Sequence, residues 1–470
     1  MKSLDICFPP EHEIIVRQLA VMFEQADSPV YLVGGYVRNL LRLPPADLDI
    51  ASPLLPQQLM EIAQQNGVGS VHLVNPTLGT VLLEINGEKI EHTTFRRESY
   101  APGGGHMPNQ VWIGASLEED AQRRDFSVNA LYIDLQKRQL LDPTQRGLED
   151  IQKRRLRSAR NSAEEMIRDD ALRLLRLIRF ACQLDFSIEK ELFRAARRYA
   201  PQIRAISKER IAAELKKILL SDTAYALKRR QPAARKAVIL LETTGVLTQL
   251  IPEFEGYRAL GQCKYHKYNI FLHTANTVGW TPPDLILRYA ALFHDVGKVI
   301  TWQKSGRMIG HDKLGAEIAA RRMSLLGVDK RTTELACRLV REHMYDLNGQ
   351  ARESRIRLKI QSMGYENFAR LILLREADFL GSGYEQKPVE TAEKFRMIME
   401  KMQKEGAPMQ IRDLDITGND LIQHYGIQGR QVGEILQALL HECLLHPAQN
   451  QRQHLLRIAG RHILEFRVAG

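Results

Sequence analysis

The chain has 470 residues, 44% hydrophobic and 26% charged, which excludes wholesale disorder and leaves room for about three domains on the usual size range. Apolar runs stop well short of the roughly 18 residues a membrane-spanning helix needs, the N-terminal MKSLDICFPPEHE lacks the apolar core of a secretion signal, and Cys7, Cys182, Cys263, Cys337 and Cys443 form no CxxC pair. No membrane partner is therefore expected, and the cysteine spacing fits a reducing cytoplasm better than a disulfide framework. The net charge of +10 is concentrated: residues 146–236 hold 24 lysines and arginines against 12 acids, so the remainder is slightly acidic. Such a stretch points to a polyanion, nucleic acid first, although a set of solvated helix faces gives the same charge.

In chain order, residues 9–27 carry Ile14, Ile15, Leu19, Met22 and Phe23 at helical spacing and predict an amphipathic helix. Residues 30–52, VYLVGGYVRNLLRLPPADLDIAS, read as a strand over 30–33, a Gly34-Gly35 turn, a short helix with Arg38, a Pro44-Pro45 loop and a second strand with Asp47 and Asp49. Side chains two apart on a strand share a face, so the two carboxylates repel unless a cation sits between them. Hard oxygen ligands suit Mg²⁺ with substrate phosphates. The glycine turn lets backbone N–H groups approach a phosphate, and the following helix points its positive end there. A bare Asp-x-Asp is more often an ordinary surface pair; the attached turn, helix and arginine favour nucleotidyl transfer.

A helix over 55–66 and strands near 71–74, 80–85 and 89–94 follow, an alternation that indicates an α/β head. Glu91 is either an exposed strand residue or a third carboxylate for the metal pair. The loop YAPGGGHMPNQ over 100–110 has three consecutive glycines and reads as a mobile element over the site. Arg123, Arg124 and Asp125 precede another strand-like run; an arginine fork suits a phosphate or a base edge, and a basic surface patch is the plainer reading.

Ser162 and Glu165 form a capping box, so a helix starts near Ala163 and continues through EEMIRDDALRLLRLIRFACQL. Asp170, Arg173, Arg176 and Arg179 are spaced by three along it. One reading is a salt-bridged helix with Asp170 paired to Arg173. The other uses hydrogen-bond complementarity: an accepting Asp beside a donating Arg matches the Watson–Crick edges of cytosine and adenine and opposes those of uracil and guanine. Protein side chains would then select the nucleotide with no nucleic-acid template.

The ordered set VGGYVRN…DLD, RRDFSVNAL, DPT..GLEDI and DDALRLLRLIRFA, over about residues 31–219, resembles the class II tRNA nucleotidyltransferases, the bacterial CCA-adding enzymes and their poly(A) polymerase relatives. A looser match, ITGNDLI..YGIQGRQVGEIL, extends it toward the C-terminus. The resemblance implies an α+β chain: a polymerase-β-like nucleotidyltransferase head over 1–150 and a helical neck over 151–255. An HD-type body over 256–385 and a helical, tRNA-contacting tail over 386–470 would follow. It implies that Gly35 and Arg38 bind nucleotide phosphates, that Asp47 and Asp49 hold Mg²⁺, and that Arg124, Asp170, Arg173, Arg176 and Arg179 line the nucleotide pocket. The expected partners are the tRNA acceptor end, CTP and ATP. Asn39 stands where the family has Asp, the following loop lacks its usual Gly and is one residue short, Asp169 replaces Glu, and YAPGGGHMP departs from the family's loop pattern. Addition of CC or A alone, or of poly(A), therefore stays open beside full CCA addition.

From about residue 262 to 383, His273, His294, Asp295, His311, His343 and Asp378 recur in mostly helical patterns. Imidazole and carboxylate together suit Mn²⁺, Fe²⁺, Ni²⁺ or Zn²⁺, and an open site activates water for phosphoester hydrolysis. This resembles an HD domain, whose core ligands map to His273, His294, Asp295 and Asp378, with His311 and His343 at positions that support a second metal. Lys298, one turn past the HD pair, could neutralise a phosphate. A degenerate helical scaffold and a phosphohydrolase with an RNA-binding head are the alternatives.

Overall fold

The structure, a computed structural model, describes residues 6–41, 43–44, 47–68, 70–101, 108–257, 267–383 and 388–469. It divides into two compact units, residues 1–255 with 322–329 and residues 256–321 with 330–470. Among the described residues no helix is long and apolar enough to cross a membrane.

The first unit opens with α1 (Pro10–Gln25), whose proline at the first turn and early Glu11 and Glu13 suit a helix N-terminus. It buries Ile15, Val16, Leu19, Met22 and Phe23, whereas Ile14, expected on that face, is 57% exposed. There follow β1 (Tyr31–Val33), α2 (Gly35–Leu40), β2 (Asp49–Ser52), α3 (Pro56–Gln65), β3 (Ser70–Asn75), β4 (Thr80–Ile85) and β5 (Glu88–Thr94). Then come β6 (Arg96–Ser99), β7 (Gln110–Ile113), α4 (Leu117–Arg123), β8 (Tyr132–Asp134), β9 (Gln139–Leu141) and α5 (Gly147–Gln152). Seven strands make one mixed sheet in the order β3-β4-β5-β2-β1-β8-β9, with β6 and β7 as a separate hairpin. β1 runs antiparallel to β2 and β8, and β2 is parallel to β5. The β4–β5 turn is Asn86-Gly87, both at positive φ (54° and 82°), as a two-residue hairpin requires.

Helices complete this unit: α6 (Ala163–Asp169), α7 (Leu172–Gln183), α8 (Lys190–Tyr199), α9 (Lys208–Leu219), α10 (Ala233–Thr243) and α11 (Val246–Leu250). The single helix expected from residue 163 onward is broken. Asp170 takes an extended conformation (φ −142°, ψ 103°), and its Oδ1 accepts from the Leu172 backbone N–H at 3.0 Å. An aspartate competing for backbone donors in this way ends one helix and caps the next. α7 then buries Leu172, Leu174, Leu175, Leu177, Ile178, Ala181 and Cys182, and each larger side chain contributes about 1.5–3 kcal/mol relative to exposure.

The second unit is helical: α12 (Ile270–Trp280), α13 (Leu285–Phe293), α14 (Lys298–Ser305), α15 (His311–Leu325, whose end from Arg322 belongs to the first unit), α16 (Lys330–Glu342), α17 (Glu353–Met363) and α18 (Tyr365–Gly381). α19 (Glu390–Lys404), α20 (Gly418–Tyr425), α21 (Arg430–Leu445) and α22 (Arg452–Ala469) follow, and the last three share a core that includes Leu421, Leu439 and Leu455.

Candidate active site

β1 delivers the chain to Gly34, whose φ of 68° and ψ of −128° suit glycine before α2 begins at Gly35. A methyl group added at Gly34 would lie 3.7 Å from Arg124 Nη1 and 3.9 Å from Asp49 Oδ2. The turn, one carboxylate and one guanidinium therefore meet at a single point. α2 has only six residues, so the anion-facing groups here are the turn's own backbone rather than a long helix dipole.

Asp49 opens β2, and Asp47 lies just before that strand instead of within it. The alternation still holds: Leu48 and Ile50 are buried, Asp49 is half-buried and Asp47 is exposed. On the parallel neighbour, Glu91 stands directly opposite Asp49. Burial, then Glu91 and more weakly Asp47, push the Asp49 carboxyl up to about 6 against the opposing Arg124. That signature marks carboxylates crowded at one place, and it brings Glu91 to the pair. The Pro44-Pro45 loop is described only at Pro44, and residues 102–107 of the glycine loop lie outside the described residues.

Arg124 caps the C-terminal end of α4, a helix started by the Ser116–Glu119 capping box. Its Nε donates to the Tyr132 hydroxyl (2.9 Å) and its Nη2 to Asp120 (3.1 Å), while Tyr132 donates to the same Asp120 oxygen (2.6 Å). Burial alone would raise Asp120; the adjoining Arg123 and Arg124, with the Tyr132 hydrogen bond, instead bring it down to about 2. This clamp leaves Arg124 Nη1 toward Gly34 and Asp49. The flanking residues reach the neck. The Arg123 carbonyl accepts from Arg173 Nη2 (2.9 Å), and Asp125 pairs with Arg176 (2.6 Å). Residues 123–125 thus join the carboxylates to α7.

The neck residues are positioned differently from a salt-bridged helix. No ion pair joins Asp170 to Arg173 among the described residues: Asp170 caps α7, and the buried Arg173 donates to the Met166 and Arg123 carbonyls. Arg179 pairs with Glu214 (3.1 Å). Arg38, Arg176 and Arg179 surround the Phe180 ring at 5.2, 5.4 and 4.4 Å. Arg38 is buried and directs most of its donors to Asn39, Asn129 and Tyr225; Gly35, by contrast, is half-buried at the turn. Asp169 is paired with Arg160.

The second unit gathers all six histidine and aspartate positions. His273 Nε2 lies 3.1 Å from His294 Nε2 and 3.0 Å from Asp378 Oδ1, and His311 Nε2 lies 3.2 Å from His343 Nε2. Asp295 stands between these groups, with Oδ2 3.4 Å from His294 and Oδ1 3.5 Å from His311. In each triad, His273–His294–Asp378 and Asp295–His311–His343, the ligand atoms lie within 4.8 Å of one another. The Nδ1 atoms of His294, His311 and His343 face carbonyls three residues back, at 2.6–2.7 Å, which turns each Nε2 inward. Burial pulls His343 down to about 3 and lowers His311, keeping both neutral, the form that ligates a metal. The Lys298 ammonium is 2.6 Å from Asp295 Oδ2, so it contacts a carboxylate of the second triad. The donor set fits transition-metal ions.

Known proteins resemble this chain over each of the regions that hold these residues. Residues 30–157 match the poly A polymerase head domain, 185–229 the probable RNA and SrmB-binding site of polymerase A, 270–381 the HD domain, and 332–459 the putative tRNA nucleotidyltransferase domain 2. The chain thus resembles poly(A) polymerases and CCA-adding enzymes over its head, and residues 270–381 match an HD domain. It is 36% identical over 252 residues to the CCA-adding enzyme of Streptococcus sanguinis (strain SK36), covering 53% of this chain and 58% of that one. Against the CCA-adding enzyme of Streptococcus pyogenes serotype M3 it is 42% identical over 200 residues, 42% of this chain and 47% of that one. The chain thus spans about half the length of the curated relatives it matches. Among solved structures, the Bacillus stearothermophilus CCA-adding enzyme in complex with CTP superposes with a TM-score of 0.69 at 22% identity, over 98% of this chain and 100% of that one. The Thermotoga maritima CCA-adding enzyme complexed with tRNA gives 0.57 at 19% identity, over 97% and 96%. At such identities the likeness is one of fold.

Sequence reading missed the clamp on Arg124. Asp120 lies three and four residues before Arg123 and Arg124, a helical spacing that carried the signal. Tyr132, Asn129 and Tyr225 reach their partners through tertiary contact, and no spacing pointed to them.

Proposed function

We propose that this chain adds C and A to the 3′ end of tRNA from CTP and ATP without a nucleic-acid template. The observation that supports this best is the convergence of Gly34, Asp49 and Arg124, tied through residues 123–125 to Arg173 and Arg176. Asp47 and Asp49, with Glu91 alongside, would hold Mg²⁺, which supplies charge neutralisation at the triphosphate and a more acidic 3′-hydroxyl. The remaining work belongs to the chain. The Gly34-Gly35 backbone and Arg124 Nη1 receive phosphate oxygens. Asp170 and Arg173 present an acceptor and a donor to the base edge, and the Arg176–Asp125 pair holds that helix to the head. The 3′-hydroxyl oxygen forms the new bond to the α-phosphorus as the bond to pyrophosphate breaks. Arg38, engaged by Asn39, Asn129 and Tyr225, acts on the phosphates through the shape of α2 as much as by direct contact.

The test is one gel. tRNA ending before CCA, after C and after CC is each supplied with CTP, ATP or both. Stepwise completion to CCA and no further is expected; growth by A alone beyond that point indicates a poly(A) polymerase, and arrest after CC or dependence on a CC end indicates a partial enzyme.

A second activity rests on a separate observation, the two buried triads around Asp295. We propose that they hold two transition-metal ions for phosphoester hydrolysis. Metal-dependent phosphate release that persists in an Asp47/Asp49 double mutant is the expected result.

A further inference from the structure

Asn39, one of the departures from the resembled family, is bonded to two residues of the loop that follows it, Leu43 and Pro44. Asn39 is fully buried, and its amide makes five hydrogen bonds, the longest of them from the Tyr225 hydroxyl to Oδ1 at 3.5 Å. Its Oδ1 accepts from Arg38 Nε (3.1 Å) and Nη2 (2.9 Å). Its Nδ2 donates to the Pro44 carbonyl (2.9 Å) and to the Tyr225 hydroxyl (3.1 Å). The partners fix which way the amide points: turned over, its NH₂ would face the Arg38 donors and its oxygen the Pro44 carbonyl. A backbone bond from Leu43 N–H to the Asn39 carbonyl (2.6 Å) closes the same turn.

The two ends of this amide reach different parts of the site. Pro44 lies three residues before Asp47. Tyr225 belongs to the segment after α9 and also accepts from Arg38 Nη2 (3.2 Å). Four residues later Arg229 donates to the Cys182 and Gln183 carbonyls (2.5 and 2.9 Å), at the C-terminal end of the helix that carries Arg173. The approach to Asp47 and the strap that grips α7 are therefore joined at one side chain.

We propose that Asn39 is a positioning residue for the nucleotidyl-transfer site: its amide ties the approach to Asp47 to the Arg38–Tyr225 pair and so sets where that carboxylate stands. The inference rests on the reading of Asp47 and Asp49 as metal carboxylates. An aspartate at position 39 would keep the Arg38 pair and strengthen it with charge. It has no proton for the Pro44 carbonyl, however, and two acceptors 2.9 Å apart must separate. Pro44 is exposed, so its carbonyl can turn to water and the fold survives. Aspartate in place of Asn39 thus separates the two roles of this side chain.

The experiment uses the full-length enzyme and Asn39→Asp. Deuterium exchange of the peptide spanning residues 40–48 is expected to quicken about fivefold, the effect of one net hydrogen bond. The Mg²⁺ concentration for half-maximal CMP incorporation into tRNA lacking CCA should rise by a similar factor. The CTP KM at saturating Mg²⁺ should stay within about twofold, since the phosphate and base contacts are untouched. Unchanged exchange overturns the proposal, and so does a raised CTP KM with an unaltered Mg²⁺ requirement. If Asn39→Asp does not fold, Tyr225→Phe, which removes one partner of the same amide, takes both measurements with the same expected directions. If the unaltered enzyme incorporates neither CMP nor AMP at any Mg²⁺ concentration, the functional reading falls, and exchange alone decides the tie.

Discussion

At the scale of single residues, charge and burial decide what each carboxylate does. Asp49 is pushed up to about 6 by burial and then by the nearby Glu91 and Asp47; Asp120 and Asp125, equally acidic in isolation, are brought down to about 2 by adjoining arginines that outweigh the opposing effect of burial. The first stands beside Glu91 and Arg124 at the candidate site, and the others build the frame. Asp49→Ala should abolish nucleotide incorporation while tRNA affinity, measured by filter binding, changes less than about threefold; near-normal turnover would refute the carboxylate reading. Because Asp120 and Asp125 have folded values below the ordinary 3.8, a proton binds the unfolded chain more tightly. Their stabilisation is complete above about pH 4 and is lost as pH falls toward 2, on the order of 2 kcal/mol each. Denaturant midpoints between pH 5 and pH 2.5 should drop accordingly, and Asp120→Asn should flatten that slope.

At the scale of elements, the break between α6 and α7 is the informative departure from expectation. Four residues spaced by three suggested one continuous face, but Asp170 caps the second helix and Arg173 turns to the Met166 and Arg123 carbonyls. Arg173 is consequently held by acceptors from both the neck and the head end of α4. Arg173→Lys, which keeps the charge and loses the fork, should narrow the preference for CTP and ATP over UTP and GTP by about tenfold or more. An unchanged ratio in single-nucleotide incorporation assays would exclude its role in base selection. α18 is built on the same logic. Three residues before Asp378, the buried Arg375 donates to the His343 and Tyr345 carbonyls (3.0 and 2.6 Å), linking the helix of one triad to a histidine of the other. Arg375→Met should lower bound metal from about two equivalents to about one by elemental analysis, since orienting groups outside the ligand set hold ligands in place.

At the scale of the whole molecule, a small charge surplus hides a strong asymmetry. The excess over residues 146–236 runs through α6 to α9 and beyond, and exposed arginines such as Arg197 are spread along it. Binding of tRNA should therefore weaken by about tenfold or more between 50 and 200 mM salt, as read from filter-binding isotherms; a flat salt response would place the RNA contacts elsewhere. The two compact units each enclose one candidate site, the carboxylates in the first and the histidine–aspartate triads in the second.

The mixed head followed by helices was legible in the chain because hydrophobic periodicity and glycine punctuation act over a few residues. The same local rules exposed VGGYVRN…DLD and the ordered His and Asp positions, since their chemistry depends on residue type at short spacing. Asp47 outside its strand, the interrupted helix at Asp170 and the burial of Arg38 were not legible. The burial of Arg38 and the partners of Arg173 are settled far away in sequence, by Tyr225 and the Arg123 carbonyl, whereas the break at Asp170 is made locally by its bond to the Leu172 N–H. Sequence alone determined which functional groups are present and in what order. Tertiary structure decided which of them gather at one place and which hold the others there, because a hydrogen bond depends on where two groups meet in space and not on how far apart they lie along the chain.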